Sequence, residues 1–126
     1  MTRIVLLLIA LLVCHYLADF CMTSHSMIRA KADGRQAGPI LGHAAVHAML
    51  MGLCLLVYGV SWRMLLILMG VELVSHFLID TGKGRLSARH PLLADQGEKP
   101  YWMLYGLDQL LHQLVVVGIW WAASQG

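Results

Sequence analysis

Long apolar runs separated by polar segments set the pattern of the chain, covering about residues 4–22, 40–60, 64–81 and 102–121. A helix rises about 1.5 Å per residue, so roughly 20 apolar residues bridge the ~30 Å hydrocarbon core of a bilayer. The pattern therefore predicts an all-α integral membrane four-helix bundle, one four-span domain over residues 1–126. Residues 23–39, with Lys31, Asp33, Gly34 and Pro39 among them, read as a loop holding a helical turn. Ser61-Trp62-Arg63 reads as a tight turn that makes the second and third spans antiparallel neighbours. The third span is expected to close at Gly82, and residues 82–101 to form a second long polar loop. Tyr101 and Trp102 at one end of the fourth span, and Trp120 and Trp121 at the other, suit the two membrane interfaces.

Polar positions inside the apolar runs follow a second pattern. The phrase His15-Tyr16-Leu17-Ala18-Asp19 returns 61 residues later as His76-Phe77-Leu78-Ile79-Asp80. Residues at i and i+4 share a helix face, so each phrase aims an imidazole and a carboxylate the same way. His43 with His47, and Asp108 with His112, repeat that spacing on the other two runs. Counted from the span ends, all eight fall within about 15 Å of one boundary. Glu72 adds one turn below His76. Ionisable groups in hydrocarbon are costly, and four such pairs at one depth point to a shared interior site.

Composition and charge refine this picture. The chain is 59% hydrophobic and 13% charged, with a mean hydropathy of +0.68, which excludes an ordinary soluble domain. It carries no basic or acidic tract and no nucleic-acid motif, so no nucleic-acid partner is expected. Arg29, Lys31, Arg35, Lys83, Arg85, Arg89 and Lys99 lie in the two long polar segments, against only Arg3 and Arg63 on the other side. By the positive-inside rule the long segments are cytoplasmic and both termini face outward. No small-x-small cleavage site follows the first run, which is therefore expected to stay as a span. Both copies of the repeated phrase end inward-running spans, which gives two pseudo-repeated helical hairpins about an axis along the membrane normal. Cys14, Cys21 and Cys54 form no C-x-x-C and read as small packed or lipid-facing residues.

Imidazole nitrogens with carboxylate oxygens suit zinc, and also iron or manganese, while the lack of thiolate argues against a cysteine-type structural site. The candidate ligands are His15, Asp19, His43, His47, His76, Asp80, Asp108 and His112. Eight donors exceed one tetrahedral shell, so two zinc ions are expected, with one ion and a rich outer shell as the alternative. Glu72 is a candidate general base. Lys83, just past Asp80, is first a topology determinant and second a candidate partner for an anionic headgroup. A single histidine within a span serves as often to hydrogen-bond a neighbouring helix as to bind metal, and only the convergence of four pairs favours a centre. His25 and His90 read as solvated.

At these same residues the chain resembles a family of short bacterial inner-membrane proteins known only as a domain of unknown function. The shared motifs are H-x-L-x-D-F at His15 to Phe20, H-x-x-x-H at His43 and His47, H-F-x-x-D-x-x-K at His76 to Lys83, and D-Q-x-L-H at Asp108 to His112. Met27 and Lys31 also match, and Thr23 departs from the glutamine usual there. The resemblance implies a multi-pass protein of the bacterial inner membrane and supplies no activity. More distantly the chain is similar to membrane-bound metal-dependent hydrolases, which implies a hydrolase.

The leading expectation is thus a metal-dependent hydrolase embedded in the lipid bilayer, acting on an anionic lipid-like ester, amide or phosphodiester from the cytoplasmic leaflet. A divalent-cation or proton transporter, acting as a homodimer, is the second class. A di-iron oxygenase ranks lower because H-x-x-H-H boxes are absent. A metal-stapled structural membrane subunit is the non-enzymatic alternative.

Overall fold

The computed structural model describes residues 2–125 and is helical throughout, with no strand among the described residues. Helix α1 (Thr2–Tyr16) runs into a π-helical turn (Leu17–Cys21), followed by α2 (His25–Asp33), α3 (Ala37–Tyr58), α4 (Trp62–Arg89), α5 (Pro91–Ala94) and α6 (Lys99–Gln125). Three stretches, Thr2–Cys21, Ala37–Tyr58 and Trp62–Arg89, are long and apolar enough to cross a membrane. Helix α6 has the length, but Asp108-Gln109 and His112-Gln113 interrupt its apolar run.

The four long helices close a ring in which α1 packs on α3 and α6, and α4 packs on α3 and α6. Each helix buries one stripe at near four-residue spacing: Leu7, Leu11, His15 on α1; His43, His47, Met51, Leu55 on α3; Leu65, Leu68, Glu72, His76, Asp80 on α4; Asp108, His112, Val116, Ile119 on α6. The stripe changes from apolar to polar at the same level on all four. Leu7, Leu11, Met51, Leu55, Leu65, Leu68, Val116 and Ile119 form an apolar core in the half that holds both termini. The polar half lies towards α2 and α5. Large apolar side chains such as Leu53, Val57, Ile67 and Leu114 point outward and are exposed, as lipid-facing residues would be.

Two ties hold the terminal half together: Trp120 Nε1 donates to the Ile4 carbonyl at 2.8 Å, and Arg3 donates to the Tyr58 carbonyl at 2.8 Å. Between α1 and α3, Cys14 Sγ lies 3.2 Å from Cys54 Sγ, so these two thiols are packed against each other and not simply lipid-facing.

Four expectations need correction. Residues 23–39 are not a loop with a turn, because Ser24 accepts from Met27 N–H as an N-cap and Gly34 closes the helix at φ 66°. Nor does α4 close at Gly82. It continues to Arg89, through Gly82 and Gly84, because a helical glycine costs only about 1 kcal/mol and α2 packs against α4 along this stretch. The second polar segment is correspondingly short of loop, with α4, α5 and the start of α6 covering most of it. The tight turn between α3 and α4 lies at Gly59, which takes φ 96°, and at Ser61, which caps α4 through Met64 N–H. Trp62 and Arg63 already belong to α4.

Candidate metal centre

Local structure delivers the polar side chains to one layer. On α1 the π-helical turn follows His15, with Met22 N–H donating to the Leu17 carbonyl at 3.0 Å. The Thr23 hydroxyl donates to the Asp19 and Ala18 carbonyls at 2.6 and 2.9 Å. Such a turn adds a residue per winding and re-aims the side chains it carries, a device that recurs at functional sites. Asp19 is one of those residues, and it meets α3 as well as His15. On α3 and α4 the four-residue spacing is preserved, so His43 with His47, and Glu72, His76 and Asp80, each form one file.

The imidazoles of His15, His43, His47, His76 and His112 form one cluster. Centroid separations are 3.7 Å for His47–His76, 4.2 Å for His76–His112, 4.7 Å for His43–His47 and 4.8 Å for His15–His47. His47 and His76 each present their two nitrogens to different levels. Their Nδ1 atoms face Glu72 Oε1 at 3.8 and 3.3 Å, while their Nε2 atoms face Asp19 Oδ1 and Asp80 Oδ2, each at 3.4 Å. His43 Nε2 lies 2.9 Å from Asp19 Oδ1 and 3.8 Å from Asp80 Oδ2, and His112 Nε2 lies 3.8 Å from Asp80 Oδ1.

Three groups of these side chains have donor atoms within 4.8 Å of one another: His15, His47, Glu72 and His76; Asp19, His43, His47 and His76; and His76, Asp80 and His112. They could hold a metal ion, and the chemistry of the donors fits one. Both nitrogens of His15 and of His47, His76 Nε2, His112 Nε2 and both Asp80 oxygens are buried without a hydrogen-bond partner. Orphaned buried polar atoms at such density are costly, and a cation among them would satisfy many at once. Charge points the same way. Three carboxylates, Asp19, Glu72 and Asp80, meet here against the single amine of Lys31.

Lys31 belongs to this layer, although the apolar pattern of the sequence gives it no place there. Its ammonium donates to Asp19 Oδ1 at 3.1 Å and reaches Asp80 Oδ2 at 3.2 Å, and it lies 3.0 Å from His43 Nε2. Burial alone would lower its pKa, but Asp80 and then Asp19 outweigh it and raise the value, so the amine stays charged. A lysine in a polar segment looks like a topology signal, and the one hint of more is its match to the family pattern. Gly34 and Gly84 place it. A Cβ on Gly84 would stand 2.5 Å from both Gly34 N and the Lys31 carbonyl.

The other expected residues divide. Asp108 is buried but stands outside the three groups, with its Oδ2 held by Lys83 at 3.2 Å. Lys83 also lies 5.3 Å from the centre of the Tyr105 ring. Glu72 lies inside the first group, beneath His47 and His76. His25 and His90 are exposed, as expected. A cavity of about 520 Å³ opens beside the cluster, with Asp19, Lys31, Lys83 and Asp108 in its polar wall and Phe20, Ile28, Leu93 and Tyr101 among its less polar lining.

Among known proteins, a family model described as Protein of unknown function (DUF3307) matches residues 7–125. Neither the curated proteins nor the solved structures yield a match.

Proposed function

We propose that this chain, which belongs to the DUF3307 family of proteins of unknown function, is a four-span hydrolase of the bacterial inner membrane that uses a divalent metal. Its substrate is a lipid-like ester, amide or phosphodiester reached from the cytoplasmic leaflet. The observation that carries this reading is the buried imidazole and carboxylate cluster, rich in unpartnered donor atoms, directly against a cavity that shares Asp19 with it. The bias of basic residues toward the polar segments supports a cytoplasmic position for α2, α5 and the cavity, with α6 as the fourth span.

The Nε2 atoms of His43, His47 and His76, with Asp19 and Asp80, form the face that would hold zinc, iron or manganese. When bound, such an ion supplies Lewis-acid polarisation of a carbonyl or phosphoryl oxygen and acidifies a coordinated water. All three ligand groups share His76, and Asp19, His43, His47 and His76 alone would fill one four-coordinate shell, so one resident ion is proposed in place of two.

The chain's own residues take distinct tasks. Glu72 Oε1 accepts from His76 Nδ1 at 3.3 Å and so fixes which nitrogen of that ring faces the metal layer, an outer-shell role, while His47 Nδ1 stands 3.8 Å away. It does not line the cavity, whereas Asp108 does, and Asp108 Oδ1 has no hydrogen-bond partner. Asp108 is therefore the proposed proton acceptor for the attacking water. Lys83 holds its other oxygen and positions it.

The apolar core beyond Glu72 favours hydrolysis over transport, since a transported ion would need a polar route through Leu7, Leu11, Met51 and Leu55. The test is lipid turnover in nanodiscs of bacterial lipid extract, followed by mass spectrometry. Metal-loaded protein should convert at least one ester, amide or phosphodiester lipid, and folded His43→Ala should not. Equal conversion by the variant, or none by the parent protein, would count against a hydrolase.

A further inference from the structure

Lys31 occupies an unusual place, because its ammonium sits on the same oxygen atoms toward which the imidazoles converge. Asp19 Oδ1 is approached by Lys31 Nζ at 3.1 Å, His43 Nε2 at 2.9 Å and His47 Nε2 at 3.4 Å. Asp80 Oδ2 is approached by Lys31 Nζ at 3.2 Å and His76 Nε2 at 3.4 Å. His43 Nε2 lies within hydrogen-bond distance of both a carboxylate, which can only accept, and an ammonium, which can only donate. One ring nitrogen cannot satisfy both.

A metal ion and the Lys31 ammonium cannot both sit on these oxygens, because two cations at such separation in a buried site repel strongly. Lys31 has somewhere to go, for its side chain already lines the cavity alongside Lys83. There the two amines would face a space whose polar wall is continued by a less polar lining at Phe20, Ile28 and Leu93. A doubly charged oxyanion attached to an apolar body matches that arrangement.

Resting on the metal-centre reading above, we propose that Lys31 is an exchangeable cation: metal binding displaces it from Asp19 and Asp80, and the freed ammonium, with Lys83, binds a phosphate-type anionic group in the cavity. Metal loading and anion binding are thereby coupled. The substrate of the site is narrowed to an amphiphile bearing a phosphate group.

The experiment measures zinc affinity and anion affinity by calorimetry on the whole chain in detergent, for the parent protein, Lys31→Met, Lys31→Arg and Lys83→Met. Two anion probes are used, inorganic phosphate and dihexanoyl phosphatidic acid. Loss of the competing ammonium should tighten zinc binding by about tenfold or more in Lys31→Met, while Lys31→Arg stays near the parent value. Zinc should strengthen anion binding by about tenfold in the parent protein, an effect absent in Lys31→Met. Lys83→Met should weaken the anion with and without zinc. Binding of both probes assigns the site to the phosphate group itself, and binding of the lipid alone adds the apolar lining as a determinant. Unchanged or weaker zinc affinity in folded Lys31→Met, or anion binding indifferent to zinc in the parent, overturns the coupling while leaving the metal centre intact. Absence of zinc binding in every variant removes both.

Discussion

Gly84 of α4 lies so close to Gly34 of α2 that a Cβ on Gly84 would come within 2.5 Å of the Gly34 nitrogen and of the Lys31 carbonyl oxygen. Both obstacles are backbone, so neither can rotate away. Gly84→Ala is therefore expected to push α2 off α4 and to destabilise the fold by about 1–3 kcal/mol, as overpacking does. Gly82 offers the control, because a Cβ there meets nothing within 4 Å. Gly82→Ala should be neutral or stabilising by up to about 1 kcal/mol through helix propensity. Thermal unfolding in detergent separates the two, and equal effects would contradict the close packing of α2.

Glu72 stands beneath His76 and His47 on the side away from the cavity. Removing its charge while keeping its shape should misorient the imidazoles without emptying the layer. Glu72→Gln is expected to keep the helical signal and to weaken metal affinity by about 10–100-fold. A competition titration against a chromogenic chelator reads this directly, and unchanged affinity would remove the orienting role.

Cys14 and Cys54 report on how α1 packs against α3. Their sulfurs lie 3.2 Å apart, so treatment of the protein with a copper–phenanthroline oxidant should join them within one chain. Peptide mapping should find this link, and Cys14→Ser should abolish it. Pairing of Cys54 with Cys21 instead would mean that α1 is set at a different height.

The Lys31 amine binds its proton more tightly in the folded chain than in the unfolded one, because Asp80 and Asp19 outweigh burial. A raised pKa contributes stability that is fully present below the ordinary lysine value near 10.5 and is lost as pH rises through the higher folded value. In metal-free protein, the stability gap between parent and Lys31→Met should thus be flat from neutral pH to the lysine range and close above it. A gap that closes near pH 7 would point to a histidine instead.

How much of this is legible in the sequence depends on contrast. His15, Asp19, His43, His47, His76 and Asp80 stand out because an ionisable side chain in an apolar run is costly unless something polar meets it, and their four-residue spacing sets the facing. Asp108 shares that spacing yet lies beside Lys83 and outside the ligand groups, since spacing fixes a face and not a partner. Lys31 lacks contrast, being one polar residue among many in a segment without apolar periodicity. The run through Gly82 and Gly84 misleads for a physical reason: those glycines read as a helix stop, whereas Gly84 is small to let another helix approach. The π-helical turn at Leu17–Cys21 has no sequence signal.

The most direct test is elemental analysis of the protein purified without chelator, beside a variant with both His43→Ala and His47→Ala. About one zinc, iron or manganese ion per chain is expected in the parent protein and close to none in the variant, because a site built from buried donors holds its ion through purification. Less than about 0.2 ion per chain in the parent, with the fold intact, would contradict a metal centre.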